Sequence, residues 1–148
     1  MNKSTYITNS LEETQKIAFD LAQKFSSDGR SKTSAMVIAL RGELGGGKTS
    51  FAQGFAKGLG IKSKILSPTF NIFKKFKFQN YGTLYHFDCY RVEKTKEILD
   101  LGFEEIISNP NNIVVIEWAE KIKKILPKET LWITFKFTNE TTRKITFK

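Results

Sequence analysis

Gly42, Gly47, Lys48 and Thr49 stand at the four fixed places of the pattern G-x-x-x-x-G-K-[ST], within residues 42–50, GELGGGKTS. These types suit a phosphate chain. Several N–H donors must converge on the anion, and side chains on the loop would block that approach. Gly42, Gly45, Gly46 and Gly47 keep the backbone open and free to take positive φ. A helix starting after the loop aims its free N–H groups at the anion, those of Ser50 and its neighbours among them. Lys48 can reach the β- and γ-phosphates, and the Thr49 hydroxyl can ligate magnesium. The competing reading, an ordinary glycine-rich turn, explains neither the lysine nor the threonine.

Three further groups carry possible chemistry. Glu117 follows the apolar run 113–116, at the carboxyl end of an expected buried strand. A phosphate-loop enzyme places its second magnesium or water-orienting group there, more often as Asp. Trp118, next to it, can stack on a base or be core. In Ser67-Pro68-Thr69-Phe70 two hydroxyls flank a rigid proline, either as a γ-phosphate-sensing segment or as a plain strand-entry turn. In residues 86–91, HFDCYR, strand alternation puts His86, Asp88 and Tyr90 on one face and Phe87 and Cys89 on the other. That face is a site lining or a satisfied structural network, and Arg91 can simply pair with a carboxylate.

The elements that must position these groups are legible as patterns. Residues 35–40, AMVIAL, form an uninterrupted apolar run leading into the loop, as a strand buried on both faces does. Phe51, Ala52, Phe55, Ala56 and Leu59 recur at helical spacing after it, and Gly60 supplies a stop. Upstream, a short strand over 5–8 precedes a helix capped by Ser10 with Glu13. Its stripe is Leu11, Ile17, Leu21 and Phe25, with Ala18 and Ala22 beside it. Strands are expected over 71–78 and 83–90, joined by a turn at 79–82. Lys74, Lys75 and Lys77 interleave with Phe73, Phe76 and Phe78, which reads better as a lysine-guarded edge than as a nucleic-acid platform. Short helices are expected over 93–101 and 103–108, a basic helical segment over 119–126, and a closing hairpin of strands over 131–138 and 143–147.

Length and composition fit one domain over 1–148 with a real core. No window is apolar enough for a membrane span, and the amino terminus has no signal-peptide core, so a cytoplasmic location is expected. One cysteine, Cys89, and one histidine, His86, exclude an intramolecular disulfide and a multi-histidine metal site. The net charge of +9, from 24 basic and 15 acidic side chains, favours polyanionic partners weakly, because the lysines are dispersed.

Taken in order, GELGGGKTS, SPTF, YHFDCYR and IEW make the sequence resemble the TsaE (YjeE) family, small bacterial ATPases of tRNA threonylcarbamoyladenosine biosynthesis. The resemblance spans nearly the whole chain. Its departures are Glu43 for a usual Asp, Gly46 for Ala, Ser50 for Thr, and Ala119 for a common Pro; none removes a group the chemistry needs. The resemblance implies an α/β fold of the P-loop NTPase kind, with a mixed, mostly parallel sheet flanked by helices and a carboxyl-terminal β-hairpin. It implies ATP and magnesium as cofactors, with slow hydrolysis. ATP would contact Gly45, Gly46, Gly47, Lys48, Thr49, Ser50 and Trp118. Thr49 and Glu117 would hold the metal, and Lys48, Asp88 and Glu117 would be the catalytic groups. Ser67, Thr69, His86 and Arg91 would form a switch-like side. The implied partners are TsaD and TsaB, with tRNA met indirectly and no membrane. A small phosphate-loop kinase and a nucleotide-gated binding module are the alternatives. A guanine-reading N-K-x-D and a D-x-x-G switch are absent from the sequence, which points to adenine.

Overall fold

A computed structural model describes residues 4–27, 33–43, 47–66, 71–78 and 82–148. Seven strands form one sheet: β1 (Ser4–Thr8), β2 (Met36–Gly42), β3 (Phe73–Phe78), β4 (Gly82–Asp88), β5 (Asn112–Glu117), β6 (Leu131–Phe137) and β7 (Arg143–Phe147). Their order is β1-β7-β6-β2-β5-β4-β3. The four central strands, β6, β2, β5 and β4, run parallel. The flanking pairs β1–β7, β6–β7 and β3–β4 are antiparallel. The sheet is therefore mixed, with the parallel part at its centre and the β6–β7 hairpin toward one edge, as the α/β reading expects.

The central strands are apolar on both faces because helices cover both. Helices α1 (Leu11–Ser27) and α2 (Lys48–Gly58) lie on one side, against Ile38, Leu40, Val115, Ile133 and Phe135. Helices α3 (Thr95–Leu99) and α4 (Phe103–Ser108) and a 3-10 segment (Ala119–Ile125) lie on the other, against Val37, Ala39, Val114, Ile116 and Phe87. Odd and even residues of each strand thus serve different cores.

Several local expectations are refined. Ser10 does cap α1, its hydroxyl accepting the Glu13 N–H at 3.1 Å. The Glu13 carboxylate reaches past it to the Asn9 N–H at 2.8 Å. The buried line of α1 is Thr14, Ala18 and Ala22, while Leu11 is exposed. Small residues are selected there because α2 approaches closely: a Cβ on Gly54 would lie 2.3 Å from the Gln15 carbonyl oxygen. Residues 61–66 have no regular secondary structure, and the expected helix over 93–101 narrows to Thr95–Leu99. The segment after Trp118 is 3-10 and is kinked at Ile122 (φ −123°, ψ 25°), not one smooth helix. The turn at 79–81 lies outside the described residues.

Candidate functional site

The carboxyl ends of β2, β4 and β5 meet the amino end of α2. Strand β2 runs out at Gly42, whose φ of 140° and closeness to Phe135 exclude a side chain; a Cβ there would sit 2.3 Å from the Phe135 carbonyl oxygen. Gly47 caps α2 in the left-handed region at φ 106°. No acidic residue occupies the first turn of α2, so its positive end is not offset by a side chain of its own turn.

Lys48 and Thr49 open the helix. Lys48 is buried, with Nζ donating to the carbonyl oxygens of Gly42 at 2.7 Å and Glu43 at 2.8 Å. The same ammonium lies 4.2 Å from the centre of the Trp118 ring, a cation–π contact. Burial pushes the Lys48 pKa down, opposed by the carboxylates of Glu117, Glu120, Asp88 and Glu43. The Thr49 hydroxyl donates to Glu117 Oε1 at 2.8 Å, and His86 Nε2 donates to Glu117 Oε2 at 2.6 Å. Glu117 is 3% exposed and His86 1%.

Parallel register places Asp88 of β4 opposite Glu117 of β5, so two carboxylates end neighbouring strands. Asp88 is half-buried, and its pKa is raised. Burial is the first cause and the nearby Glu117 charge adds to it, while the Tyr90 N–H bonded to Asp88 Oδ1 at 3.0 Å works against it. Trp118 bends the chain away from the sheet with φ 58°, the only positive φ of a non-glycine among the described residues. Its ring packs 5.0 Å from Tyr90.

Lys48, Thr49, His86, Asp88, Glu117 and Trp118 therefore converge. Gly47 and Ser50 belong to the same helix start, and Arg91 is exposed in the turn after β4. Gly45, Gly46, Ser67 and Thr69 lie outside the described residues. The pairing of His86 with Glu117 was not legible as a contact, because it depends on strand order. Its signal was the shared parity of His86 and Asp88, once β5 is known to be the neighbour of β4. The Lys48–Trp118 contact had no signal at all, since it needs the left-handed turn at Trp118. Cys89, on the opposite face, is buried and its thiol is pushed up to about 12, which fits a core role.

The chain matches known proteins. The family model described as "Threonylcarbamoyl adenosine biosynthesis protein TsaE" matches residues 8–145. The chain belongs to the TsaE family. A TsaE protein of Bacillus subtilis (strain 168) is 40% identical over 149 residues, covering 99% of this chain and 86% of the relative. One from Rickettsia felis is 37% identical over 138 residues, covering 93% and 75%. Both are named tRNA threonylcarbamoyladenosine biosynthesis proteins. A crystal structure of Bacillus subtilis YdiB superimposes with a TM-score of 0.71 at 34% identity, covering 99% of this chain and 84% of that one. All the clustered side chains above fall inside the region matched by the TsaE model.

The donor set at Thr49 and Glu117 suits magnesium. It consists of hard oxygen donors from two protein side chains in contact. Among the described residues no group of three or more His, Cys, Asp or Glu forms a self-sufficient metal cage.

Proposed function

We propose that this chain acts as one domain that binds ATP with magnesium and hydrolyses it slowly. In doing so it supports the TsaB–TsaD complex in threonylcarbamoyl modification of the adenosine next to the anticodon of tRNA. The observation that carries the nucleotide reading is the Thr49–Glu117 hydrogen bond at 2.8 Å, made directly behind the glycine cap of α2 and beside Lys48. Phosphate-loop chemistry needs a hydroxyl at the helix start, a carboxylate at a neighbouring strand end and a lysine between them. The pathway reading rests on membership of the TsaE family and on the names of its relatives.

In this reading the α2 amino end and the loop backbone take the phosphate oxygens. Lys48 exchanges its two carbonyl partners for β- and γ-phosphate oxygens, a stronger charge-assisted pairing. Thr49 and Glu117 would hold magnesium, directly or through water, and the ion would supply positive charge that offsets the phosphate charge. Asp88, whose raised pKa marks a carboxyl in a poorly solvated position, orients the attacking water. Trp118 lies near the adenine. Hydrolysis forms a bond from the water oxygen to the γ-phosphorus and breaks the bond from that phosphorus to the β–γ bridging oxygen, so that ADP leaves and both water protons depart with the phosphate.

The test is ATP turnover by the chain alone and with TsaB, TsaD and tRNA. Slow magnesium-dependent turnover that changes when the partners are added is expected. Partners that neither bind nor alter turnover would remove the pathway assignment while leaving a phosphate-loop ATPase standing.

A further inference from the structure

His86 sits at a core position of β4 at 1% exposure, on the same face as Leu84 and Asp88 and opposite Val115 of β5. Its Nε2 donates to Glu117 Oε2 at 2.6 Å, while the Thr49 hydroxyl donates to Glu117 Oε1 at 2.8 Å. Both oxygens of one buried carboxylate are thus held, from two different elements. The other ring nitrogen, Nδ1, is buried with no hydrogen-bond partner among the described residues. An unpartnered buried nitrogen is a cost that an apolar ring of similar size would not carry. As packing alone, histidine is a poor choice here. What the imidazole adds is the Nε2–H bond to Glu117.

We propose that His86 is a positioning residue for the metal-holding carboxylate. It fixes the rotation of the Glu117 carboxylate so that Oε1 stays presented to Thr49, where magnesium is shared with the nucleotide. A ligand oriented by an outer hydrogen bond binds metal more tightly than the same ligand free to turn, and losing that bond typically costs 10- to 100-fold in metal affinity. The inference rests on the reading that Thr49 and Glu117 hold magnesium. It adds that the strand-end histidine sets how strongly they do so, without touching nucleotide or metal itself.

Two substitutions and one spectrum test this. His86→Leu keeps an apolar core residue and removes the donor. His86→Gln keeps an N–H near the position of Nε2. Calorimetric titration of ADP at varied magnesium reads the concentration that half-saturates the metal-dependent part of binding. His86→Leu is expected to raise it about 10-fold or more. His86→Gln should stay within about threefold of the unaltered chain, and metal-free ADP binding should be unchanged in both. Because His86 is the only histidine, the imidazole 15N spectrum of the unaltered chain contains one residue. Its Nε2–H signal should shift when magnesium is added to the ADP-bound protein. That measurement stands even where His86→Leu does not fold. A magnesium dependence within twofold of the unaltered chain in His86→Leu would overturn the proposal, as would an equally large shift in His86→Gln or an unmoved Nε2–H signal. An unaltered chain lacking magnesium-dependent ADP binding would instead overturn the nucleotide reading itself.

Discussion

Asp88 is where charge and burial compete most openly. Its carboxyl is half-buried beside Glu117, so the protonated form is favoured and its pKa lies above the ordinary 3.8. The sign follows from linkage. A carboxyl with a raised folded-state pKa stabilises the fold below its unfolded pKa, and that contribution is lost as pH rises through the folded value. The side-chain 13C signal of Asp88 is expected to titrate with a midpoint above 3.8, and Asp88→Asn should flatten the fall in stability across that window. A midpoint at or below 3.8 would remove the desolvation account. At the helix start, Lys48→Ala and Thr49→Ala should each lower ATP affinity or turnover by roughly 10-fold or more, the loss of at least one charge-assisted contact. Normal magnesium-dependent turnover in both variants would sink the site assignment. Trp118 carries Lys48 on its ring, so its emission should change when phosphates draw the ammonium away. With only Trp118 and Trp132 in the chain, Trp132→Phe should keep the ADP-induced fluorescence change and Trp118→Phe should lose it. The reverse pattern would leave Trp118 as core.

Close approach of elements, more than any single bond, builds the platform for these residues. Helix α2 can bring Lys48 and Thr49 to the strand ends because Gly54 and Gly58 let it lie directly on α1. A Cβ at Gly54 would meet the Gln15 backbone at 2.3 Å, so Gly54→Ala forces the helices apart and should cost about 1–3 kcal/mol in chemical denaturation. A variant as stable as the original would show that the contact relaxes freely. Most elements were legible in the sequence because their periods are strong. The apolar runs of β2 and β5 and the α2 stripe bury what their pattern implies, and the alternation of β6 and β7 does so at Ile133, Phe135, Ile145 and Phe147, while Phe137, at the end of β6, is exposed. Leu11 was misassigned to the α1 stripe because its neighbour across the first turn is solvent, not sheet. The 3-10 geometry after Trp118 was hidden because the left-handed turn and the kink at Ile122 answer to packing against the sheet, not to local propensity. The Glu117 contacts with Thr49 and His86 span 68 and 31 residues of sequence, and only strand order brings them together.

Across the whole molecule, the excess of nine positive charges is not gathered at the strand-end cluster, where Asp88, Glu117 and Glu120 surround one lysine. The lysines of β3 instead lie exposed along a sheet edge, where they discourage strand-to-strand association. No helix among the described residues is long and apolar enough to cross a membrane. Among the described residues the chemically densest corner is at the carboxyl end of the parallel centre of the sheet, which is where open α/β sheets bind ligands. The proposed function requires that corner to hold a magnesium nucleotide. The most direct measurement is a calorimetric titration of magnesium ATP into the unaltered chain and into Thr49→Ala, with GTP run alongside. One-to-one binding that prefers ATP, needs magnesium and weakens about 10-fold or more in Thr49→Ala is the expected result. Binding that is absent from the unaltered chain, or indifferent to magnesium and to Thr49, would contradict it.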